Sequence, residues 1–208
     1  MIPLFVDCSR RRIVIFGGGE VAARKAAYFS KTADVTVVSR SFVPAFDELK
    51  ITRKELDLDK TDGREFAELL TGAFLVIAAL SSPDINNRIG KLCRATGILF
   101  NNADGETGDV ILPSVTGGDN YTLAISTQGR SPAISRFIRE HLEQTYPAMD
   151  EMISLQQRLR SELKRVEPEQ LNRDAILWQV LKDPIIWTAL SADTAGAWNI
   201  VKERYLHD

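Results

Sequence analysis

A run of three glycines, between an apolar segment and a stretch of good helix formers, restricts the fold more than any other feature of the sequence. It lies in IVIFGGGEVAARKAA, residues 13–27. In a dinucleotide-binding fold the first glycine permits a tight turn after a strand, and the second lets a pyrophosphate approach the backbone. A third, small residue allows the next helix to pack on the strand. Because Gly17, Gly19 and Ala22 meet these requirements, the motif predicts a strand, a phosphate-binding loop and a helix.

The start of the predicted helix is the expected phosphate site. Its free N–H groups and the positive end of its dipole attract anions. The expected cofactor contacts are Gly17, Gly18, Gly19, Glu20, Val21 and Ala22. A Rossmann-like domain with an empty crevice would carry the same motif, so the glycines favour dinucleotide binding without establishing it.

The end of the second predicted strand bears on which dinucleotide is bound. About 20 residues after the first glycine, an NAD site usually has an acidic residue for the ribose 2′-hydroxyl. This chain instead has VVSR, which ends in Ser39 and Arg40. Arg40 could receive the extra phosphate of NADP, whereas Ser39 could bond an unmodified ribose. These two cofactor-binding candidates leave both nucleotides open.

Short apolar runs alternate with helical stretches over the first half of the chain. The predicted strands are residues 13–16, 35–38, 74–79 and 98–100, with a weaker one at 50–53, and the predicted helices are 20–30, 64–70 and 83–96. This alternation is typical of βαβ units and a parallel sheet. After the loop-forming NNADGETGD, a strand at 121–126 is expected to continue that sheet.

The second half of the chain has a helical pattern. Ser131 and Pro132 begin an amphipathic helix, in which apolar residues recur at helical spacing. From Pro147 onward we predict three helices, with breaks at Pro168, Pro184 and Gly196.

Composition and charge exclude several classes of protein. With 44% hydrophobic and 26% charged residues the chain is typical of soluble globular proteins. No apolar run approaches the roughly 20 residues of a membrane span, and no signal-peptide pattern is present, so a cytoplasmic location is expected. The net charge of −2 gives no general attraction to nucleic acid. Cys8 and Cys93 lack metal or disulfide spacing and only His141 and His207 are histidines, so no metal site is expected.

Five linked motifs together resemble one family. In order they are PLFVD, GGGEVAARKA, VTVVSR, FNNADGETGDVILPS and LAISTQGRSPAISRFIREHLE, within about residues 1–145. The chain resembles the precorrin-2 dehydrogenase family, the dehydrogenase and ferrochelatase portion of siroheme synthase. The resemblance implies that a homodimer oxidises precorrin-2 to sirohydrochlorin with NAD. It leaves open whether iron is also inserted.

The resemblance also implies the domain organisation. We expect an α/β fold with a Rossmann-like, mainly parallel sheet, a central α/β dimerisation region and a small helical C-terminal domain. The expected bounds are residues 1–112 for the NAD-binding domain, 113–146 for the dimerisation region and 147–208 for the helical domain.

The family's essential aspartate matches Asp104 in this chain. We expect it to act as a catalytic base, because a proton must leave the substrate when hydride is transferred. Without the resemblance, Asp104 and Gly105 would be interpreted as a turn. Family members often have an Ala-Thr pair after the fourth strand; this chain has Ala79 and Leu80, so Ser81 is the expected hydroxyl beside the cofactor.

The implied substrate is a polycarboxylate, so its site needs groups that bind anions. The segment STQGRSP, residues 126–132, is similar to the family's serine-glycine loop. The candidate substrate-binding residues here are Ser126, Thr127, Arg130 and Ser131. Asn102 is expected either to position cofactor or substrate, or to cap its strand. An ordinary capped helix start would explain residues 126–132 equally well.

One rival function comes from another class of protein. A non-catalytic Rossmann dimer that senses NAD(H) would explain Gly17 to Ala22 as well as a dehydrogenase does. It would not explain why Asp104 and residues 126–132 should accompany the glycine loop.

Overall fold

The computed structural model describes residues 1–206, so His207 and Asp208, and with them the end of the predicted helical domain, lie outside the described residues. The chain divides into two compact units, Met1–Leu112 and Pro113–Asp208.

The first unit contains a five-stranded sheet in the order β3-β2-β1-β4-β5. The strands are β1 (Arg12–Phe16), β2 (Asp34–Ser39), β3 (Thr52–Glu55), β4 (Ala73–Ala78) and β5 (Leu99–Asn102). Every neighbouring pair is parallel, which confirms the predicted Rossmann-like sheet. The strand order reverses direction at β1, and open α/β sheets bind ligands in the crevice at such a point.

Three helices pack on the faces of this sheet. They are α1 (Glu20–Phe29), α2 (Gly63–Leu70) and α3 (Pro83–Thr96). Successive residues of β1 point to opposite faces. Ile13 and Ile15 therefore lie in the cluster that includes α1, while Val14 and Phe16 lie in the cluster that includes α2 and α3. All four are completely buried, so β1 is the centre of the core that fixes the loop following it.

The second unit is a β-hairpin followed by helices. Its elements are β6 (Ser114–Gly117), β7 (Thr122–Ile125), α4 (Pro132–Thr145), α5 (Met149–Val166), α6 (Gln170–Lys182), α7 (Pro184–Leu190) and α8 (Thr194–Tyr205). Apolar residues of α5 at helical spacing, Met152, Leu155, Leu159 and Leu163, form one core with residues of α6, α7 and α8. Within residues 1–206, no helix is both long enough and apolar enough to cross a bilayer.

The predicted continuation of the sheet after residue 120 is wrong. β7 pairs antiparallel with β6, and these two strands form a sheet of their own. A tight turn, closed by the hydrogen bond from the Gly118 N–H to the Tyr121 carbonyl, brings the strands together. The partner strand is therefore the adjacent segment SVTG, which is too short and too polar to be recognised as a strand.

The prediction of three helices after Pro147 is also wrong, because residues 149–205 form four. Gly196 does not break the chain but lies in the first turn of α8. The Asp193 carboxylate caps this helix by accepting hydrogen bonds from the N–H groups of Ala195 and Gly196. A Cβ at Gly196 would lie 2.8 Å from Asp193 Oδ2, so the glycine leaves room for the cap.

Candidate functional site

A cleft of about 670 Å³ opens where the strands of the first unit end. Its walls are the segments that follow β1, β2, β3, β4 and β5. The predicted cofactor residues that line it are Gly17, Gly18, Gly19, Glu20, Val21, Ser39, Arg40 and Ser81, and the predicted catalytic Asp104 lines it too. The structure thus brings together residues that are as many as 87 positions apart in sequence, counting from Gly17 to Asp104.

The first two glycines shape the backbone of this cleft. Gly17 has φ +127, a region that favours glycine, and a Cβ there would lie 2.4 Å from the Ala79 carbonyl oxygen. A Cβ at Gly18 would lie 1.8 Å from the Ser41 carbonyl oxygen. The tight turn predicted at Gly17 is therefore present. The close approach at Gly18 could not be predicted, because its neighbour comes from the segment after β2.

Gly19 differs from the other two glycines because a Cβ built on it meets no atom within 4 Å. It is the N-cap of α1 and supplies no side-chain cap, while the first helical hydrogen bond runs from the Ala23 N–H to its carbonyl. The N–H groups of Glu20, Val21 and Ala22 therefore precede the hydrogen-bonded part of the helix. Open space, free N–H groups and a positive helix end together fit a pyrophosphate.

The Ala22 side chain has the packing role that the motif predicts, and Ala22 is not among the residues that line the cleft. A contact of its backbone N–H with the cofactor stays a prediction. The Ala22 side chain is fully buried and packs in the cluster of Ile13 and Ile15. A small residue at this position lets α1 approach the sheet closely, as the motif requires.

Acidic side chains that the sequence analysis missed lie beside Ser39 and Arg40. Asp57 and Asp59 follow β3 and line the same cleft. Arg40 Nη1 is 3.9 Å from Asp59 Oδ2, and both side chains are largely exposed. The cleft therefore has acidic side chains after β3, whereas none follows β2 directly. The signal was the DLD triplet of residues 57–59, which follows the weakest of the predicted strands.

The loop after β5 presents Asp104, which is exposed at the cleft. Asn102 supports this loop from within: its Oδ1 accepts the Asp104 N–H at 3.3 Å and its Nδ2 donates to the Glu106 carbonyl at 2.8 Å. Two residues of α3 support it from outside. Asn86 Nδ2 donates to the Asp104 carbonyl at 3.1 Å, and Asn87 Oδ1 accepts the Glu106 N–H at 3.0 Å.

A half-buried lysine anchors the far end of the same loop. Lys25 Nζ donates to Asn101 Oδ1 at 3.0 Å, and Asn101 Nδ2 donates to the Val110 carbonyl at 2.8 Å. Burial lowers the pKa of the Lys25 ammonium group. These bonds tie α1 to β5 and to the chain that leaves the Asp104 loop.

The predicted substrate loop belongs to the second unit and is organised by its own hydroxyls. Thr127 Oγ1 accepts the Ser131 N–H and donates to the Ser131 carbonyl, at 3.0 and 2.9 Å. Ser126 Oγ accepts the Gln128 N–H, and Ser131 Oγ caps α4 by accepting the Ile134 N–H. Within residues 1–206, no carboxylate pairs with the exposed Arg130.

The strand order, the glycine loop and the cleft define a dinucleotide-binding protein of the Rossmann class. Residues 4–114 match a family described as "Putative NAD(P)-binding". The precorrin-2 dehydrogenase of Methanosarcina barkeri is 42% identical over 195 residues, which cover 91% of this chain and 87% of that protein. The chain belongs to the precorrin-2 dehydrogenase family.

One further relative agrees with this assignment, and one solved structure has the same fold. The siroheme synthase of Zymomonas mobilis is 32% identical over 86% of this chain, which spans 38% of the length of that protein. A solved structure described as "SirC, precorrin-2 dehydrogenase" shares the fold, with a TM-score of 0.66 and 20% identity over 98% of this chain. The family predicted from the five motifs is confirmed, and so is a nicotinamide dinucleotide as its cofactor.

Proposed function

We propose that the chain oxidises precorrin-2 to sirohydrochlorin with NAD, a step in siroheme biosynthesis. The observation that carries this proposal is that one cleft is lined by both the glycine loop and Asp104. Its support from relatives is the 42% identity to a protein named precorrin-2 dehydrogenase. A sensor of NAD(H) would need the glycine loop but not an exposed carboxylate held at the same cleft.

The residues of the cleft divide the reaction between them. The cofactor, when bound, accepts the hydride that leaves the substrate. Gly19 and the first turn of α1 hold its pyrophosphate through backbone N–H groups. Ser81 supplies a hydroxyl from the segment after β4, which also lines the cleft. The Asp104 carboxylate takes the proton that leaves the substrate, so that each turnover removes one hydride and one proton.

NAD rather than NADP is the proposed cofactor because two acids line the cleft together with Ser39 and Arg40, the residues expected to meet the ribose. Asp57 and Asp59 line the cleft beside Ser39, and Asp59 is the carboxylate that approaches Arg40. A phosphate would meet like charge there and compete with Asp59 for the guanidinium. Asp59→Asn should therefore improve kcat/KM with NADP about threefold to tenfold and change NAD kinetics little.

The loop at residues 126–131 is the proposed anion-binding part of the substrate site. Arg130 is the charged donor suited to substrate carboxylates, and it lies one residue before the N-cap of α4. The hydroxyls of Ser126, Thr127 and Ser131 hold the loop in shape and retain hydrogen-bonding capacity toward a ligand. Asn102 acts mainly by supporting Asp104.

A homodimer is the proposed assembly, with α4 in its interface. Ile134, Phe137 and Ile138 leave 50%, 66% and 38% of their surfaces exposed on this helix. Phe137→Glu should shift the protein toward monomer in light scattering. Leu171→Glu, a change at an even more exposed apolar residue of α6, is the control. We also place the protein in the cytoplasm, because its unpaired Cys8 and Cys93 suit a reducing compartment.

The function is tested by anaerobic turnover of precorrin-2 with NAD, following sirohydrochlorin and NADH together. Wild-type protein should form both in equal amounts. Asp104→Asn should lower kcat about 100-fold or more, because an amide cannot take up the proton. Glu106→Gln, at an exposed acid two residues away, should retain most of the activity.

The outcomes separate the proposed enzyme from its rival. Equal formation of both products, lost in Asp104→Asn and kept in Glu106→Gln, would support the dehydrogenase and the role of Asp104. A folded wild-type protein that binds NAD but turns over no precorrin-2 would instead support the sensor.

A further inference from the structure

Asn86 connects the Asp104 loop to Leu80, which follows β4 and belongs to the wall of the cleft that we call the cofactor wall. Asn86 itself contacts neither solvent nor the cleft. Its side chain is fully buried in the first turn of α3. Its Oδ1 accepts the Leu80 N–H at 3.2 Å, while its Nδ2 donates to the Leu80 carbonyl at 3.0 Å and to the Asp104 carbonyl at 3.1 Å. Leu80 and Asp104 both line the cleft.

The chemistry of these three bonds requires a primary amide. An asparagine side chain offers two N–H donors and one carbonyl acceptor, and here both donors and the acceptor are used. A carboxylate would keep the acceptor but lose both donors. It would also place negative charge beside two carbonyl oxygens in a buried position, which is unfavourable.

We propose that Asn86 is a positioning residue that holds the backbone of Asp104 in register with Leu80 on the cofactor wall. The inference rests on the proposed role of Asp104 as the base. A base must lie within hydrogen-bonding reach of the proton that it removes, so a small displacement of its backbone costs rate. The loop contains Gly105 at φ +125 and is exposed, so the buried Asn86 side chain gives the Asp104 carbonyl a fixed contact in the core.

The neighbouring Asn87 offers a matched comparison because it uses only its acceptor on the same loop. Its Oδ1 accepts hydrogen bonds from Asn102 Nδ2 at 3.2 Å and from the Glu106 N–H at 3.0 Å. A carboxylate at position 87 would still accept both bonds. The same isosteric change therefore has opposite expected consequences at two consecutive residues.

The experiment compares Asn86→Asp with Asn87→Asp in the anaerobic assay with precorrin-2 and NAD. Asn86→Asp should lower kcat about tenfold and raise the Kd for NAD less than threefold, because the glycine loop is unchanged. Asn87→Asp should lose less than threefold in kcat. Asn86→Ser, which removes the amide without adding charge, is the second variant in case Asn86→Asp does not fold, and the same split between kcat and Kd is expected.

A double-mutant cycle tests whether Asn86 acts through Asp104. In an Asp104→Asn background, Asn86→Asp should lower the residual kcat less than threefold, since the group that it positions is already inactive. A further tenfold loss in that background would overturn the proposal and leave Asn86 with a general structural role. An equal loss from Asn86→Asp and Asn87→Asp would overturn it as well.

Hydrogen exchange separates this proposal from the proposed function. Amides of residues 103–106 should exchange about tenfold faster in Asn86→Asp than in the wild-type protein, while those of β1 should not change. If Asp104→Asn is fully active, the base assignment fails but this measurement still decides whether Asn86 holds the loop. Unchanged exchange at residues 103–106 would overturn the positioning role.

Discussion

The two loops proposed to serve catalysis and substrate binding are held in place in different ways. The Asp104 loop is supported by side chains from α3, through Asn86 and Asn87, as well as by its own Asn102. The loop at residues 126–131 is supported by hydrogen bonds that begin and end within it or in the first turn of α4. The first loop is therefore fixed to the core of its sheet, whereas the second is a self-contained turn.

This difference matches the work proposed for each loop. A base must be held to within a fraction of an ångström of its productive position, and a rigid framework achieves this. The Arg130 guanidinium is proposed to bind one of several flexible substrate carboxylates, so its charge matters more than its exact position. Arg130 is accordingly exposed, while Asp104 is exposed at its carboxylate but tied at its backbone.

Gly19→Asp should give the largest effect, and it tests the glycine loop, which lines the same cleft as Asp104. The new carboxylate would lie at the N-cap of α1, where Asp is favourable for the helix but repels a pyrophosphate. We expect the affinity for NAD to fall about 100-fold or more, because juxtaposed like charges cost several kcal/mol. The free energy of unfolding should stay the same or rise. Cofactor titration and urea unfolding measure the two effects.

Gly19→Asn is the control for size at this position. It places a neutral side chain of the same shape in space that is empty to 4 Å. If both variants bind NAD as tightly as the wild-type protein, the pyrophosphate does not lie against Gly19. If both lose affinity equally, bulk rather than charge is responsible.

Gly18→Ala should give the next largest effect, this time on stability. Its Cβ would lie 1.8 Å from the Ser41 carbonyl oxygen, so the backbone after β2 must move. We expect the free energy of unfolding to fall by about 2 to 3 kcal/mol, as for overpacked interiors. Gly19→Ala should cost less than about 1 kcal/mol, because nothing opposes its Cβ. Equal losses, measured by urea unfolding, would contradict the distinction between these adjacent glycines.

These contrasts also show which features were accessible from the sequence. β1, β2 and β4 could be predicted because each is a short run of apolar residues in the sequence. The glycine motif predicted the turn after β1. The close approach of Gly18 to Ser41 joins the segment after β1 to the segment after β2, so no local sequence pattern predicts it. Asn86 reaches Asp104 across 18 residues, and an asparagine one turn into a helix looks like any polar surface residue.

The second unit was harder to predict for a related reason. β6 has only four residues, and its sequence SVTG carries one large apolar side chain. Its pairing with β7 depends on the tight turn between them rather than on an alternating pattern. Gly196 was misread as a break because glycine weakens a helical pattern, whereas here it lies in the first turn of α8, directly behind the Asp193 cap.

Arg130→Ala should give a smaller effect, confined to the substrate. Removing the exposed guanidinium should raise KM for precorrin-2 about tenfold, since one charge-assisted contact among several is lost. The Kd for NAD and the free energy of unfolding should not change. Arg136→Ala, at an exposed arginine of α4 that pairs with Glu140, is the matched control. An unchanged KM in Arg130→Ala would return residues 126–131 to a purely structural role.

Thr127→Val should give the smallest effect and decides whether the second loop is as self-contained as its hydrogen bonds indicate. Valine keeps the branched shape but loses the bonds to the Ser131 backbone and the contact with Ser135 Oγ at 3.3 Å. The free energy of unfolding should fall by about 1 kcal/mol, and amides of residues 128–131 should exchange faster. KM should rise less than threefold, because Arg130 remains. A rise as large as that of Arg130→Ala would mean that the Thr127 hydroxyl contacts the substrate or that Arg130 depends on a rigid loop. In either case the contrast with the Asp104 loop would no longer hold.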